Sequence, residues 1–351
     1  MSSRFKLDPF VIALALTVLA AIAWPTPGVT DGPLHADKAA SYGVAFIFVL
    51  YGLSLAPEHL WKSAGRWRVH LVVQASTFVL FPVVVLAAHP LLVRIMPQEM
   101  VTGFFFLAAL PSTVSSSVAM TSLARGNVPV AIFNASISSL IGVFVTPLLM
   151  AWYMHATGSQ MDLKDVIIKL VLLVMLPVGI GQMLRPVAAE FVARHKTMAR
   201  IADRAVILAI VYNSFCDSVA GGVWSKHDPR LIVEMLVGVV VLFFVVYGLV
   251  AVICRLVGFN PSDRIAVLFC GSKKSLATGL PMARVIFGSQ AELSLIIAPV
   301  MLFHFIQLVI VSFIASHNAA RLDRAEAAAR DAAPAPGEPA RLAEQGRGAK
   351  M

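Results

Sequence analysis

Ten apolar stretches alternate along the chain with short polar segments. About 20 consecutive apolar residues is the length that an α-helix needs to cross the hydrocarbon core of a membrane. The pattern therefore predicts an all-α polytopic membrane protein with ten transmembrane helices, at 8–24, 40–56, 69–88, 100–123, 127–153, 165–184, 202–220, 231–254, 263–287 and 292–316. The charged start is also typical of a cleaved signal peptide, but Asp8 and the span count favour a retained first helix.

Composition supports a membrane protein and excludes several other classes. Of the 351 residues, 58% are hydrophobic and only 13% are charged. The cysteines Cys216, Cys254 and Cys270 all lie in apolar stretches, so they form neither a disulfide framework nor a metal site. Hydrolase, nucleotide-binding and dinucleotide-binding motifs are missing, so we predict neither an enzyme nor a bound cofactor, except for Na⁺ as a coupling ion. We infer no obligate protein partner.

Basic residues occur mainly in alternate loops. One set of loops contains Arg4, Lys6, Lys62, Arg66, Arg68, Arg125, Arg185, Arg194, Lys196, Arg200, Arg204, Arg255 and Arg264, and the other set is poor in Lys and Arg. The net charge of +9 therefore reports orientation in a lipid membrane and does not indicate a nucleic-acid partner. The positive-inside rule places both termini in the cytoplasm, in a bacterial inner (plasma) membrane. The even number of spans agrees with this orientation.

The ten spans divide into two halves of five helices, at 1–156 and 157–316. Because each half has an odd number of spans, the halves have opposite orientations, which is the inverted-repeat architecture of many secondary transporters. The segment 317–351 is rich in Ala, Arg, Pro and Glu, and we predict a disordered cytoplasmic tail with one short helical stretch near 322–330.

The fourth and ninth spans are interrupted by polar residues at matching positions in the two halves. Pro111 precedes a run of hydroxyl residues in the fourth span, and Gly271 and Pro281 flank the adjacent Lys273 and Lys274 in the ninth. Two lysines facing lipid would cost about 5–7 kcal/mol. Unwound backbone at membrane depth survives only inside protein or beside a water-filled cavity. The pattern therefore predicts two broken helices that form a binding site.

The candidate substrate- and ion-binding residues come from the fourth, fifth and ninth spans. They are Ser115, Ser116, Ser117, Asn134, Ser138, Lys273, Lys274 and Ser275. Hydroxyls and freed carbonyls at a helix break can coordinate a cation or an anionic head group. Packing between helices through small residues is the alternative for the serines. Fixed positive charge at the lysines favours an anionic substrate or replaces a bound cation, and a desolvated lysine can also exchange a proton.

Five further polar residues in other spans are secondary candidates: Gln74, Thr77, Asp217, His304 and Gln307. Asp217 is interpreted as the only carboxylate embedded near a hydrophobic end of a span, which suggests a proton or cation site. Solvation at the membrane boundary is the alternative for Asp217. His304 and Gln307 lie three residues apart on one helical face, where a structural hydrogen-bonded pair is the simpler interpretation.

These residues give the chain a resemblance to the bile acid:sodium symporter superfamily over roughly residues 7–316. Within it, the chain is most similar to bacterial sodium-dependent transporters related to the orphan seventh vertebrate member. The matching positions are 52–55, 111 with 114–116, 132–134, 146–149, 181–182, 215–217, 274–276, 279 with 281–282, and 304 with 307. Together they are specific, although each alone would be weak.

The resemblance implies two inverted five-helix repeats, a core domain with two crossing broken helices, and a separate panel domain that moves against it. It implies uptake of bile acids, sulfated steroids or other organic anions with sodium, and a sodium site to which Ser116, Ser117, Asn134 and Ser138 contribute. The chain departs from the family's pattern in the ninth span, where lysines stand in place of the sodium-binding carboxylate. Thr77 stands where the family has a sodium-site glutamine, and Gln74 lies one turn earlier.

The sequence thus predicts a secondary active transporter that moves a small or amphipathic organic anion by alternating access, coupled to a sodium or proton gradient. Two alternatives stay open: a cation–proton exchanger on the same fold and a membrane regulator that does not transport. Substrate identity, direction, stoichiometry and oligomeric state are not specified by the sequence.

Overall fold

A computed structural model describes residues 9–54, 64–157, 168, 171–288 and 292–331. Within these ranges the chain is helical and contains no strand. The helices are α1 (Pro9–Ala23), α2 (Ala36–Ser54), α3 (Trp67–Ile95), α4 (Gln98–Ala109), α5 (Ser115–Leu123), α6 (Val128–Ala156), α7 (Leu176–Arg194), α8 (Lys196–Ala220), α9 (Arg230–Val257), α10 (Pro261–Gly271), α11 (Leu276–Phe287) and α12 (Leu293–Asp331).

Local sequence signals explain several helix ends. The side chains of Asn127, Asn260 and Ser275 accept hydrogen bonds from backbone N–H groups in the first turns of α6, α10 and α11. Such caps satisfy donors that have no partner within the helix. At the other end of α9, Gly258 adopts a left-handed conformation with φ of 76°, which glycine reaches at little cost.

Five helices in the described ranges are long and apolar enough to cross a membrane. They lie at Ala36–Leu53, Trp67–Ile95, Val128–Ala156, Arg230–Val257 and Leu293–Arg321. The all-helical class is therefore confirmed for the described residues, and these helices are compatible with a membrane protein. Each of the ten predicted stretches contains one helix or a pair of short helices, but the number that cross the membrane and the inverted repeats stay predictions.

The helices pack into two groups. The panel bundle consists of α1, α2, α7 and α8, and the core bundle consists of α3–α6 and α9–α12. In the panel bundle Gly52 and Gly181 lie in close contact, so that α2 and α7 approach each other backbone to backbone. In the core bundle α4 packs against α3, α6 and α12. Helices α8 and α11 contact each other between the two bundles.

The fourth and ninth spans are each broken into two short helices, at the positions that the sequence indicates. Helix α4 ends at Ala109 and α5 begins at Ser115, while α10 ends at Gly271 and α11 begins at Leu276. Nearly all side chains of α4 and α11 are buried. The interrupted backbone is thus surrounded by protein, as broken helices in a membrane require.

The last helix continues beyond the predicted boundary at 316. Helix α12 runs without a break from Leu293 to Asp331 and therefore includes the short helix predicted near 322–330. The alanines and charged residues that follow His317 favour continuation of a helix that has already begun. The remainder of the predicted tail, 332–351, lies outside the described residues.

Candidate functional site

The two helix breaks contact each other, and each one caps the helix that ends at the other. The last carbonyls of an α-helix have no partner within the helix. At the end of α10, the carbonyl of Phe269 accepts from Ser117 Oγ at 3.2 Å and that of Cys270 accepts from Ser112 Oγ at 2.6 Å. At the end of α4, the carbonyl of Pro111 accepts from the backbone N–H of Ser275 at 2.8 Å.

Lys274 provides the main cap for the end of α4. Its ammonium donates to the backbone carbonyls of Ala108, Leu110 and Thr77 at 2.6, 2.7 and 2.7 Å, and lies 4.2 Å from the ring centre of Phe81. The three N–H donors of the ammonium thus bond three carbonyl acceptors. A positive charge at the carboxyl end of a helix also interacts favourably with the helix dipole. Lys274 is 1% exposed and has all the partners that an ammonium can bind.

A π-helical turn in α3 supplies one of these carbonyls. Over Ser76–Leu80 the hydrogen bonding shifts, and the N–H of Phe81 bonds the carbonyl of Ser76. In an ordinary α-helix the N–H of Phe81 would bond the carbonyl of Thr77. The shift leaves the Thr77 carbonyl free to accept from Lys274, while the Thr77 hydroxyl donates to Val73 within its own helix. Thr77 thus reaches the site through its backbone.

Full-length helices hold both breaks in place. Gln307 of α12 accepts from the N–H of Lys274 and donates to its carbonyl, each at 2.8 Å, and its amide nitrogen lies 3.0 Å from His304 Nδ1. In the other half, Ser138 of α6 accepts from the N–H of Ser112 at 3.0 Å. Thr146 of α6 donates to the carbonyl of Ala109 at 2.7 Å. Ser138, His304 and Gln307 therefore lie where the two helix breaks meet, and they support the backbone there.

Lys273 has a different environment from Lys274. Its side chain is 0% exposed, and its ammonium donates one hydrogen bond, to Ser116 Oγ at 2.8 Å. Neither lysine forms an ion pair with any described carboxylate. An ammonium has three donors, so Lys273 retains capacity for two further acceptors. The described part of the chain supplies no acceptor for these two donors.

The amino end of α5 lies beside this ammonium. Val114, which precedes α5, provides no side-chain cap, and Ser115 is exposed while Ser116 is half-buried. Thr113 holds the first turn, with its hydroxyl 2.8 Å from Ser116 Oγ and 3.0 Å from Ser117 Oγ. Uncapped N–H groups at a helix start attract anions. The arrangement combines a buried cation with the positive end of a helix.

Of the three residues predicted to bind sodium, Ser116 and Ser117 are joined through the Thr113 hydroxyl, whereas Asn134 is outside this hydrogen-bond network. Asn134 donates to the carbonyl of Val130 in its own helix, and its backbone carbonyl accepts from Gln74 at 3.1 Å. The hydroxyl of Ser116 is engaged by the Lys273 ammonium, and that of Ser117 donates to a backbone carbonyl. A cation at Ser116 would meet the positive charge of Lys273, so these residues, as arranged here, do not fit a sodium ion.

Asp217 lies apart from the crossing. Its two carboxylate oxygens accept from the backbone N–H and the hydroxyl of Thr30, each at 2.7 Å. These bonds attach the segment after α1 to the end of α8. Asp217 thus has a structural role that accounts for its place near the end of a span.

Two further charged residues escaped the sequence analysis. Arg284 lies within the apolar part of the ninth span and is buried, and its Nη1 has no partner among the described residues. Asp203 of α8 lies at the start of a predicted span and has a buried oxygen, Oδ1, that also lacks one, so Asp217 is not the only embedded carboxylate. The rule that singled out Lys273 and Lys274, an ionisable residue inside an apolar stretch, would have found Arg284.

The chain belongs to the SBF-like CPA transporter family, whose family model matches residues 8–320. It is 40% identical over 329 residues to an uncharacterized protein of Pseudomonas aeruginosa, covering 94% of this chain and 98% of that one. It is 37% identical over 310 residues to "Putative symporter YfeH" of Escherichia coli, covering 88% and 92%. It is 31% identical over 312 residues to sodium/bile acid cotransporter 7 of the mouse, covering 88% and 92%.

These similarities confirm the predicted membership of the bile acid:sodium symporter type and the similarity to the seventh vertebrate member. The family and the names of the relatives support a membrane protein that transports solutes, and they agree with the prediction that the chain is not an enzyme.

Proposed function

We propose that this protein is a secondary active transporter of the bacterial inner membrane, with both termini in the cytoplasm. It moves a small or amphipathic organic anion by alternating access, and a sodium or proton gradient drives the movement. Two relatives are named as a symporter and as a sodium/bile acid cotransporter. The division into panel and core bundles, with two broken helices meeting in the core, agrees with this mechanism.

The observation that carries the proposal is the unsatisfied ammonium of Lys273. Burying a charge without enough partners is costly, so such groups in membrane proteins are retained for function. Lys273 is buried, bonds only Ser116 among the described residues, and lies beside the uncapped start of α5. An anionic group placed there would accept from Lys273 and from backbone N–H groups of α5. We therefore assign Lys273 to the substrate and Lys274 to the scaffold.

The same geometry limits how a cation could take part. Sodium and the Lys273 ammonium compete for the hydroxyl of Ser116, since a single oxygen cannot serve two adjacent positive charges. A proton on Lys273 therefore takes the place of a bound cation in the arrangement seen here. This favours coupling to protons over the two-site sodium scheme of the wider family.

A cation–proton exchanger is the second candidate, and the bond between Lys273 and Ser116 favours it as well. If the lysine released its proton, the hydroxyls of Thr113, Ser116 and Ser117 would be free to coordinate a cation. The family description includes the term CPA transporter, which agrees with this candidate. In that case the transported species is a cation and no organic anion is needed.

Flux in proteoliposomes distinguishes these functions. Uptake of labelled bile acids and sulfated steroids would be measured with an imposed sodium gradient, an imposed pH gradient, or neither. Saturable anion uptake supports the proposed transporter. Cation-dependent proton movement without anion uptake supports the exchanger. Absence of both types of flux, with a ligand-dependent change in melting temperature, would instead indicate a regulator that does not transport.

The coupling ion can be tested without knowledge of the substrate. The melting temperature of the purified protein would be compared in sodium and potassium chloride at matched ionic strength and several pH values. A ligand at 100 times its dissociation constant stabilises a protein by about 2.7 kcal/mol. We expect no sodium-specific shift while Lys273 is present. A saturable sodium-specific shift would contradict proton coupling and show that a sodium site exists.

A further inference from the structure

The panel and core bundles are joined by hydrogen bonds at one end of the molecule. Ser294, in the first turn of α12, lies 2.6 Å from Ser218 Oγ of α8. The indole N–H of Trp224, just beyond the end of α8, donates to the same Ser294 hydroxyl at 2.9 Å. Ser218 and Ser294 are both completely buried. A single core residue thus binds two groups of the panel.

A buried arginine lies at the same end of the core bundle. Arg284 is 8% exposed, in the last turn of α11, and its Nη1 atom has no hydrogen-bond partner. Helix α11 packs against α2 and α8 of the panel. An unpaired guanidinium in a buried position is expensive, so its surroundings have to compensate for the charge.

Two carboxylates of the panel lie at the same end of the molecule. They are Asp217, in the last turn of α8, and Asp37, in the first turn of α2, and within the described residues neither forms an ion pair with Arg284. Asp37 Oδ1 is itself buried and has no hydrogen-bond partner. Asp217 accepts one hydrogen bond on each oxygen from Thr30, which leaves lone pairs on both oxygens, so Asp217 and Asp37 both retain acceptor capacity.

These residues lie at chain positions that the charge pattern assigns to one side of the membrane. The start of α2, the end of α8, the end of α11 and the start of α12 all border loops that are poor in Lys and Arg. By the positive-inside rule this is the non-cytoplasmic side. The hydrogen bonds at Ser294 and the charges around Arg284 therefore lie at the same end of the contact between the bundles.

We propose that Ser218, Trp224, Arg284 and Ser294 form a latch that closes the non-cytoplasmic end of the path between the panel and core bundles, with Asp217 and Asp37 as the counter-charges of Arg284. The latch rests on the alternating access proposed above. When the panel moves away, the bonds to Ser294 break and the carboxylates leave Arg284, so the closed state is favoured by interactions that the open state lacks. The breaking and forming of these contacts sets how often this end opens.

The test measures access to a cysteine placed behind the latch. Thr278→Cys, in the first turn of α11, would be introduced into a variant whose three native cysteines are alanine. Thr278 is 6% exposed and lies in the helix that packs on the panel. A membrane-impermeant thiol reagent would be applied to right-side-out and inside-out vesicles. The same reagent would be applied to a parallel Ser225→Cys variant, at an exposed residue after α8. The vesicle orientation in which this cysteine is labelled identifies the membrane face that carries the latch.

We expect Ser294→Ala and Arg284→Gln each to raise the labelling rate from that face by about tenfold, since the loss of one ordinary hydrogen bond or charge contact changes an equilibrium by this order. Ser225→Ala is the matched control, because its hydroxyl bonds Gly222 in the same loop and does not reach the core. Unchanged labelling in folded Ser294→Ala and Arg284→Gln proteins, or an equal rise with Ser225→Ala, would overturn the latch.

Two further variants cover the case in which these substitutions prevent folding. Trp224→Phe removes only the donor to Ser294 and keeps the ring that stacks on Phe215, so it should raise labelling in a well-folded protein. Ser218→Cys with Ser294→Cys replaces hydroxyls 2.6 Å apart, a separation compatible with a disulfide. Oxidation should reduce labelling, and reductant should restore it. Labelling that ignores the state of this disulfide would also overturn the latch.

The outcome separates the latch from the proposed function. Labelling that responds to the latch variants in a protein without flux would support the latch and contradict the proposed transport. Flux with labelling that is insensitive to all of these variants would contradict the latch and leave transport supported.

Discussion

Lys273 and Lys274 are neighbours in the chain, yet they lie in different surroundings. Lys274 donates to three carbonyls and lies over the ring of Phe81, so every donor on its ammonium has an acceptor. Within the part of the chain that the structure describes, Lys273 donates only to Ser116. Because adjacent residues point in different directions, one lysine can support the backbone while the other faces a ligand. We expect the two residues to differ sharply when they are replaced.

Lys274→Met should destabilise the protein far more than Lys273→Met. Both variants remove one ammonium and keep similar volume, so they form a matched pair. In Lys274→Met the carbonyls of Thr77, Ala108 and Leu110 lose their donor, and we expect a loss of about 3–5 kcal/mol of unfolding free energy. Melting temperature in detergent measures the difference. Equal melting temperatures for the two variants would show that Lys274 is not the cap of α4.

The sequence predicted that the two lysines matter, but it could not assign their roles. Both have the same type, the same apolar flanks and the same break. Their difference depends on the carbonyl of Thr77, which lies 197 residues away and is freed by a π-helical turn. The sequence of the ninth span contains no signal of that turn. Arg284, by contrast, was visible as an ionisable residue inside an apolar stretch.

Each helix break is held by the full-length helix that follows the broken span. Gln307 of α12 binds both the N–H and the carbonyl of Lys274, and Ser138 and Thr146 of α6 bind the break after α4. Side chains therefore replace the backbone bonds that a continuous helix would make. The breaks are rigid features, and we expect their geometry to persist while the bundles move.

Gln307→Leu should weaken the break after α10. Leucine has similar size but leaves the N–H and the carbonyl of Lys274 unpaired, at a cost of about 2 kcal/mol or more. Gln307→Glu is the comparison variant, since its carboxyl group keeps an acceptor for the N–H and, when protonated, a donor for the Lys274 carbonyl. A lower melting temperature for Gln307→Leu than for Gln307→Glu is expected. The reverse order would argue against a bridging role for Gln307.

The contact between α2 and α7 depends on two glycines. A Cβ atom on Gly181 would collide with backbone atoms of Val49 and Gly52, and backbone cannot move aside as a flexible side chain can. Gly181→Ala should therefore push the helices apart and lower the melting temperature.

Gly179→Ala is the control for Gly181→Ala. Gly179 lies two residues earlier in the same helix and has no atom near its Cβ position, so replacement should be neutral or slightly stabilising through helix propensity. Similar melting temperatures for the two variants would rule out the close contact between α2 and α7.

At the scale of the whole molecule, the sequence predicted the helical class, the two breaks and the family. These follow from apolar length and from interruptions that repeat in both halves, which are local signals. The end of α12 at Asp331 and the placement of Asp217 beside Thr30 could not be predicted. Both depend on the continuation of a helix and on a contact distant in the chain, and apolar periodicity specifies neither.

The panel and core bundles contact each other through α2 and α8 on one side and α11 and α12 on the other. Helix breaks and caps lie within the core, whereas the residues of the Ser294 latch join the two bundles. This separation matches a mechanism in which the anion stays near Lys273 while access to it alternates between the two sides of the membrane. The central claim of this account is that Lys273 supplies the charge that binds the anion.

The most direct measurement is uptake of a panel of labelled organic anions, including bile acids and sulfated steroids, into proteoliposomes containing wild-type protein or Lys273→Met. Losing a charged hydrogen bond to the substrate should lower uptake at subsaturating concentration by about 10- to 100-fold, while the melting temperature of the empty protein changes little. Wild-type uptake by a well-folded Lys273→Met protein would contradict the claim.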